Sequence, residues 1–203
     1  MYGPHITSNF NVIMESGNDL AVIFQIFSGE TEGNVGGIVD GIFNLPLTDV
    51  GRKQASAAAE ALKDVPFVAV YCSDLVRAAD TAAEIARANL HFHGDVVKME
   101  CLRERSFGCL EGKDWKDFRG HPKYDGWPGT FTPDGGETWP VVRDRIKTFF
   151  KVRSLTWVGS GRLYFVNSLR NVATFQIFLS DVTAAQRSTS ESGASSPTYL
   201  VVR

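Results

Sequence analysis

The sequence predicts an α/β fold, a three-layer sandwich with a mostly parallel central sheet. Two observations support this prediction. Short apolar runs at residues 20–27 and 67–72 have the character of buried strands, and segments of helical periodicity alternate with them. Polar residues follow each run at once. Strands that alternate with helices favour a parallel sheet, because each helix returns the chain to the edge where the next strand begins.

The run at residues 20–27 is the element around which we expect the chain to be organised. It is too short to cross a membrane, and the polar turn Ser28-Gly29-Glu30-Thr31 follows it. Ligands of open α/β sheets bind outside the carboxyl ends of the strands, and Gly29 allows backbone N–H groups to approach an anion closely. This turn is therefore predicted to form the floor of a phosphate or carboxylate pocket.

The next elements are predicted from caps and periodicity. A helix begins after Thr48, which can cap it, and ends before Pro66. A second helix spans about residues 75–89, with Ser73 or Asp74 as its cap, and a short strand covers residues 95–99.

Arg77 lies in the first turn of this second helix. A cation there opposes the helix dipole, which points to an anion that it binds. Taken alone, an exposed arginine is the commoner outcome at such a position.

Residues 102–112 are predicted to form a charged loop. Glu104 stands between Arg103 and Arg105, and two glycines follow. One interpretation is an ion-paired surface loop. The other is a site loop, in which Glu104 gives a proton to a leaving oxygen.

Residues 113–133 are rich in aromatic side chains, which either cover a site or pack onto the sheet. A further helix then has Pro140 in its first turn and a buried stripe that includes Val142 and Phe149.

The last quarter leaves alternatives open. Residues 155–158, before Ser160, and residues 163–166, before Ser168, compete for the next strand. Residues 198–202 are expected to be a small edge strand. The predicted organisation is an irregular leader over 1–19, one α/β domain over 20–186, and a Ser-rich tail over 187–203.

Composition limits the possible partners. The chain has 203 residues, with 21 basic and 23 acidic side chains, and this balance gives no reason to expect nucleic acid or an anionic membrane as a partner. Three cysteines lack zinc-ligand spacing, and the four histidines lie far from the polar loops, so no metal site is expected. No secretory signal is recognisable, which makes the cytosol the expected location.

Four segments resemble motifs of the histidine phosphatase superfamily, the phosphoglycerate mutase-like proteins, and they follow the order of that family. They are Gly29-Glu30-Thr31 with Asn34, residues 73–82, residues 102–112 and residues 135–138. The fourth is similar to a run in the TIGAR-type fructose-2,6-bisphosphatases, one branch of the family. Phe27 and Ser28 stand where the family has its first Arg and its nucleophilic His. The resemblance covers about residues 20–152.

This resemblance implies roles for individual residues. Glu104 matches the general acid and base, and Ser28 takes the position of the nucleophile. Gly29, Asn34 and Arg77 match the phosphate-binding set. Ser160 takes the place of the second His if residues 155–158 form the strand before it. In the family, arginines and histidines stabilise the transferred group, so the resemblance implies no metal or other cofactor.

The resemblance implies a sugar-phosphate phosphatase similar to the fructose-2,6-bisphosphatases, acting on a small phosphorylated metabolite such as a sugar bisphosphate. Ser28 and Phe27 argue against turnover, because a serine hydroxyl is a weak nucleophile unless a base activates it. The alternative is a catalytically inactive pseudophosphatase that binds a phosphorylated ligand or partner.

Overall fold

One mixed sheet forms the centre of the molecule. The computed structural model describes residues 10–16, 19–124, 131–152, 163–165 and 198–202, and the surroundings of side chains for 26–124 and 131–149. The strands of the described part are β1 (Phe10–Ser16), β2 (Asp19–Ile26), β3 (Phe67–Cys72), β4 (Val96–Lys98), β5 (Leu163–Phe165) and β6 (Thr198–Val202). The helices are α1 (Glu32–Gly36), α2 (Asp49–Leu62), α3 (Val76–Ala88), α4 (Trp115–Arg119) and α5 (Trp139–Val152).

The strand order is β4-β3-β6-β2-β1-β5. The first four strands in this order are mutually parallel, whereas β1 is antiparallel to β2 and β5 is antiparallel to β1. The predicted α/β fold with a mostly parallel sheet is therefore confirmed. In register, Cys72 pairs with both Lys98 and Val202, and Val202 pairs with Ile26. The carboxyl ends of the four parallel strands thus meet at one edge.

Helices cover both faces of the sheet. Val70 and Cys72 belong to a buried cluster with alanines of α2 and α3. Tyr71 lies between them in β3, so its side chain points to the opposite face. There its ring packs edge-on against Phe149 of α5, with 5.2 Å between the ring centroids. This arrangement gives the three layers that the sequence predicted.

Two expectations about the ends of the chain are wrong. Residues 1–19 were expected to be irregular, but Phe10–Ser16 is a strand that pairs with β2 along its whole length. Residues 198–202 were expected at an edge, but Thr198–Val202 lies between β2 and β3. The position of Thr198–Val202 cannot be read locally, because its partners β2 and β3 are distant in sequence. The partner of β1 is local, since only two residues separate it from β2.

Of the two C-terminal segments that competed for the next strand, the structure describes only the second. Residues 155–158 lie outside the described residues, as do Ser160 and Ser168. Leu163–Phe165 is a strand, but it pairs antiparallel with β1 on the far side of the sheet from β3. It is β6 that runs parallel between the two strands whose ends carry the predicted polar loops.

The predicted caps are right for α2 and wrong for α3. The Thr48 hydroxyl accepts a hydrogen bond from Gly51 N at 3.0 Å. In α3 the cap position is Leu75, and the hydroxyl of Ser73 accepts from Leu75 N, which precedes the first helical residue. The first helical N–H, that of Val76, instead donates to Asn44 Oδ1 at 2.7 Å. A loop distant in sequence therefore supplies the cap.

The turn after β2 packs on the start of α2 through backbone contact. A β-carbon added to Gly29 would lie 2.3 Å from the carbonyl oxygen of Gly51, and one added to Gly51 would lie 2.1 Å from that of Glu30. The Thr48 hydroxyl also donates to the Glu30 carboxylate at 2.8 Å. Two glycines thus allow the turn and the helix to approach closely.

We expect Gly51→Ala to lower the free energy of unfolding by about 1–3 kcal/mol, because the added methyl group has no space. Urea denaturation would measure the change. Gly36→Ala is the matched control, since its nearest neighbours would be 3.5 Å from the new β-carbon. Equal stability of the Gly51 and Gly36 variants would contradict the close approach.

Candidate functional site

Arg77 is buried at the carboxyl edge of the sheet. Its side chain enters from the first turn of α3, and the residue is only 7% exposed. Its two terminal nitrogens donate to the carbonyl oxygens of Phe43 and Gly41, at 2.9 and 2.7 Å. Among the residues described, no carboxylate lies within ion-pair distance of it. A buried cation in this state favours a bound anion, because an unpaired charge is costly away from water.

The loop at residues 41–45 connects Arg77 to the segment that carries Glu104. Gly41 has a φ of +48°, and a β-carbon added to it would lie 3.1 Å from the carbonyl oxygen of Arg105. The N–H of Ile42 donates to Glu111 Oε1 at 3.3 Å. The loop therefore contacts the Arg77 guanidinium and the residues that directly follow Glu104.

Glu104 lies in a loop held from two directions. Its Oε1 accepts from the N–H of Arg105 at 2.8 Å, and its carbonyl oxygen accepts from Arg145 of α5 at 3.0 Å. The preceding Arg103 forms a two-pronged ion pair with Asp74, at the end of β3. The hydrogen bonds from Arg103 lower the pKa of Asp74. The loop is thus fixed to the edge where Arg77 lies.

Glu137 and Arg145 form a clamp around Glu104. Arg145 donates to both carboxylate oxygens of Glu137, at 2.9 and 3.0 Å, and to the carbonyl oxygen of Cys101 at 2.7 Å. Glu137 also accepts from the N–H of Ser106 at 3.0 Å. Burial opposes ionisation of Glu137, but the hydrogen bonds from Arg145 and Ser106 outweigh it and lower its pKa.

Arg105 is 1% exposed and holds a different loop. It donates to the carbonyl oxygens of Glu137 and Phe131, at 2.7 and 2.6 Å. Its guanidinium carbon lies 5.3 Å from the ring centroid of Phe107 and 5.1 Å from that of Trp139. Burial lowers the pKa of Arg105. Glu104 and Glu137 lie close enough to favour its charged form and oppose this effect of burial.

The aromatic side chains after Lys113 pack mainly on one another. Phe118 is fully buried, and its ring makes edge-on contacts with Trp115, Tyr124 and Phe131 at centroid distances of 4.9–5.4 Å. Val39 and Leu110 complete this small core. The packing interpretation of this segment is therefore supported for the rings in the described part.

Asn34 serves the local backbone. Its Oδ1 accepts from Thr31 N at 3.0 Å, and the Thr31 hydroxyl accepts from Asn34 N at 3.2 Å, so the two residues cap α1 reciprocally. Its Nδ2 donates to Asp40 at 3.2 Å. In this arrangement the amide is engaged with protein groups. Its predicted role in binding phosphate remains a prediction.

Ser28 and Gly29 follow β2 at the same edge. The N–H of Gly29 donates to the hydroxyl of Thr81 in α3 at 3.2 Å. Ser28 is partly buried, and within the described part its hydroxyl has no hydrogen-bond partner. Of the histidines whose surroundings are described, His121 stacks on Phe131, with 4.5 Å between ring centroids. His91 and His93 are exposed residues after α3.

Several residues of this region were missed by the sequence analysis. They are Asp40, Asn44, Glu111 and Arg145. Arg145 had a local signal, because it lies three residues after Val142 and four before Phe149, on the buried stripe of α5. Glu111 lies within the predicted charged loop at residues 102–112, although no role was predicted for it. Asp40 and Asn44 act through an irregular loop or through a contact that spans more than 30 residues.

Two further properties concern only the part of the chain that the structure describes. No group of three His, Cys, Asp or Glu side chains there could hold a metal ion. No helix there is long and apolar enough to span a membrane.

Comparison with known families gives one match over most of the central region. The model of the histidine phosphatase superfamily (branch 1) matches residues 28–155, which is more than half of the chain. The match contains the Arg77 and Glu104 loops.

Similar proteins include phosphatases whose names give different substrates. The zebrafish fructose-2,6-bisphosphatase TIGAR B is 38% identical over 126 residues, which is 61% of this chain and 49% of that protein. The Arabidopsis thaliana metal-independent phosphoserine phosphatase is 36% identical over 136 residues, 63% of this chain and 56% of that protein. The chain thus spans about half the length of these relatives.

Solved structures share the fold. Mycobacterial glucosyl-3-phosphoglycerate phosphatase, solved with VO3, has a TM-score of 0.60 at 23% identity, covering 96% of this chain and 76% of that one. Phosphoserine phosphatase from Entamoeba histolytica, solved with 3-phosphoglyceric acid, has a TM-score of 0.55 at 27% identity, covering 65% and 66%.

The Glu137 clamp predicts a pH-dependent stability difference. Because the folded-state pKa of Glu137 is lowered, its contribution is complete above the unfolded pKa of about 4.3 and is lost as the pH falls through the folded value. We expect Glu137→Gln to lower the free energy of unfolding by about 1–3 kcal/mol at pH 7, and this difference to shrink below about pH 4.

Urea denaturation at pH values from about 3 to about 7 would measure both effects. The control is Glu60→Gln, which removes an exposed ion pair with Lys63. It should change stability by less than about 0.5 kcal/mol. A Glu137 variant that matches this control would contradict the clamp.

Proposed function

Since the chain belongs to the histidine phosphatase superfamily, we propose that its site at the carboxyl edge of the sheet binds a small phosphorylated metabolite. A sugar bisphosphate is the class that the names of its TIGAR relatives favour. In this proposal the chain is a sugar-phosphate phosphatase of that family by descent. Glu104 is its proton donor, and the residues that hold the phosphoryl group are Gly29, Asn34, Arg77 and Ser160.

The observation that carries the proposal is the electrostatic state of Arg77. The guanidinium has five N–H donors, and two hydrogen bonds to carbonyl oxygens leave donors available. Its charge lacks a carboxylate partner among the described residues. A phosphate group supplies both the missing charge and acceptors with a matching geometry. Among the other cations discussed at this edge, Arg103 and Arg145 have carboxylate partners.

Turnover is expected to be weak, for a reason specific to this chain. In the family, the phosphoryl group is transferred to a histidine at the position that corresponds to residue 28. In this chain residue 28 is a serine. A hydroxyl attacks phosphorus readily only when a base removes its proton, and the described part of the chain supplies no hydrogen-bonded base to Ser28. This observation favours the second candidate function, a pseudophosphatase that binds a phosphorylated ligand or partner without hydrolysing it.

Binding is tested on Arg77. We expect inorganic phosphate and fructose 2,6-bisphosphate to raise the thermal midpoint of the unmodified chain, because a ligand that binds only the folded state stabilises it. Arg77→Met should abolish this shift. Arg52→Met is the control, since Arg52 is an exposed arginine of α2. A shift that survives in the Arg77 variant would overturn the proposed site.

Turnover is tested by release of phosphate from fructose 2,6-bisphosphate and from 2,3-bisphosphoglycerate. We expect the unmodified chain to hydrolyse both at a rate indistinguishable from that of Ser28→Ala. The double variant Ser28→His, Phe27→Arg restores the family residues at these two positions and should exceed the unmodified chain by about 10²-fold or more. Hydrolysis by the unmodified chain that Ser28→Ala removes would instead identify Ser28 as a working nucleophile.

A further inference from the structure

The loop at residues 41–45 carries two exposed apolar side chains beside a buried cation. Phe43 is 47% exposed and Ile42 is 36% exposed. Single exposed apolar residues are ordinary, but two adjacent ones on a loop that binds a buried cation are informative. In the part of the chain whose burial is described, five of the eight large exposed apolar side chains lie between residues 27 and 50.

The backbone of this loop is fixed at almost every residue. The carbonyl oxygens of Gly41 and Phe43 accept from Arg77, and the N–H of Ile42 donates to Glu111. The N–H of Phe43 donates to the carbonyl oxygen of Asp40 at 2.6 Å, and Asn44 caps α3. The loop therefore fixes the backbone from which the two exposed side chains extend, and the carbonyl group of Phe43 is one of the two that Arg77 binds.

We propose that Phe43, with Ile42 beside it, is a specificity determinant that contacts the carbon part of a phosphomonoester whose phosphate lies on Arg77. This inference rests on the proposed phosphate site and adds a ligand class to it. The ligand presents an apolar face next to its phosphate. Ligand sites commonly combine an apolar lining with a few polar groups that fix orientation, and an aromatic ring offers a rigid apolar surface.

The test compares phenyl phosphate with inorganic phosphate by calorimetric titration of the full chain. The unmodified chain should bind phenyl phosphate more tightly. We expect Phe43→Ala to lower the affinity for phenyl phosphate by about 5- to 20-fold and to change the affinity for inorganic phosphate by less than about twofold. Inorganic phosphate is also the check on the loop, because Arg77 holds the Phe43 carbonyl group. Leu90→Ala, at a residue that is 60% exposed after α3, is the control and should change neither affinity.

Each other result has a distinct meaning. If Phe43→Ala lowers the affinity for both ligands equally, the inference is overturned, because Phe43 would then support the loop without touching the ligand. The proposed function would stand. Equal affinity of the unmodified chain for the two ligands would also overturn it. Failure of the unmodified chain to bind either ligand would overturn the proposed function itself, and this inference with it.

Discussion

Guanidinium groups that are buried or largely buried bind backbone carbonyl groups and hold the loops at the carboxyl edge of the sheet. Arg77 binds the loop at residues 41–43, Arg105 binds residues 131–137, and Arg145 binds residues 101–104. Carbonyl groups of irregular loops have no strand or helix to pair with, and buried ones need a donor. A planar group with five N–H donors can satisfy several of them at once. These three side chains therefore help to hold the loops in place.

The three arginines differ in how their charge is balanced. Arg145 has the carboxylate of Glu137, and Arg105 lies near the charges of Glu104 and Glu137 and the rings of Phe107 and Trp139. Arg77 has two carbonyl oxygens and, in the described part of the chain, no acid. The same type of contact therefore has a mainly structural consequence at the first two positions. At Arg77 it creates the condition for binding an anion.

Residues of the site differ in whether they match the family and in whether they are available to a ligand. The match covers the loops of Arg77 and Glu104, and hydrogen bonds hold both side chains in place. It also begins at Ser28, where the chain departs from the family's nucleophile. Asn34 keeps the family residue, yet its amide is engaged in capping α1 and in binding Asp40. Agreement in sequence and availability for a ligand are thus separate properties.

The sequence by itself determined the elements whose signals are local. Apolar runs predicted β2 and β3, Thr48 predicted the start of α2, and motif spacing predicted the family. Tertiary structure alone decided what depends on distant partners. It placed β6 inside the sheet, assigned the cap of α3 to Asn44, buried Arg77 and left it with no carboxylate at ion-pair distance among the described residues. The physical reason is that propensity and periodicity act over a few residues, whereas strand order and charge compensation depend on which segments meet in space.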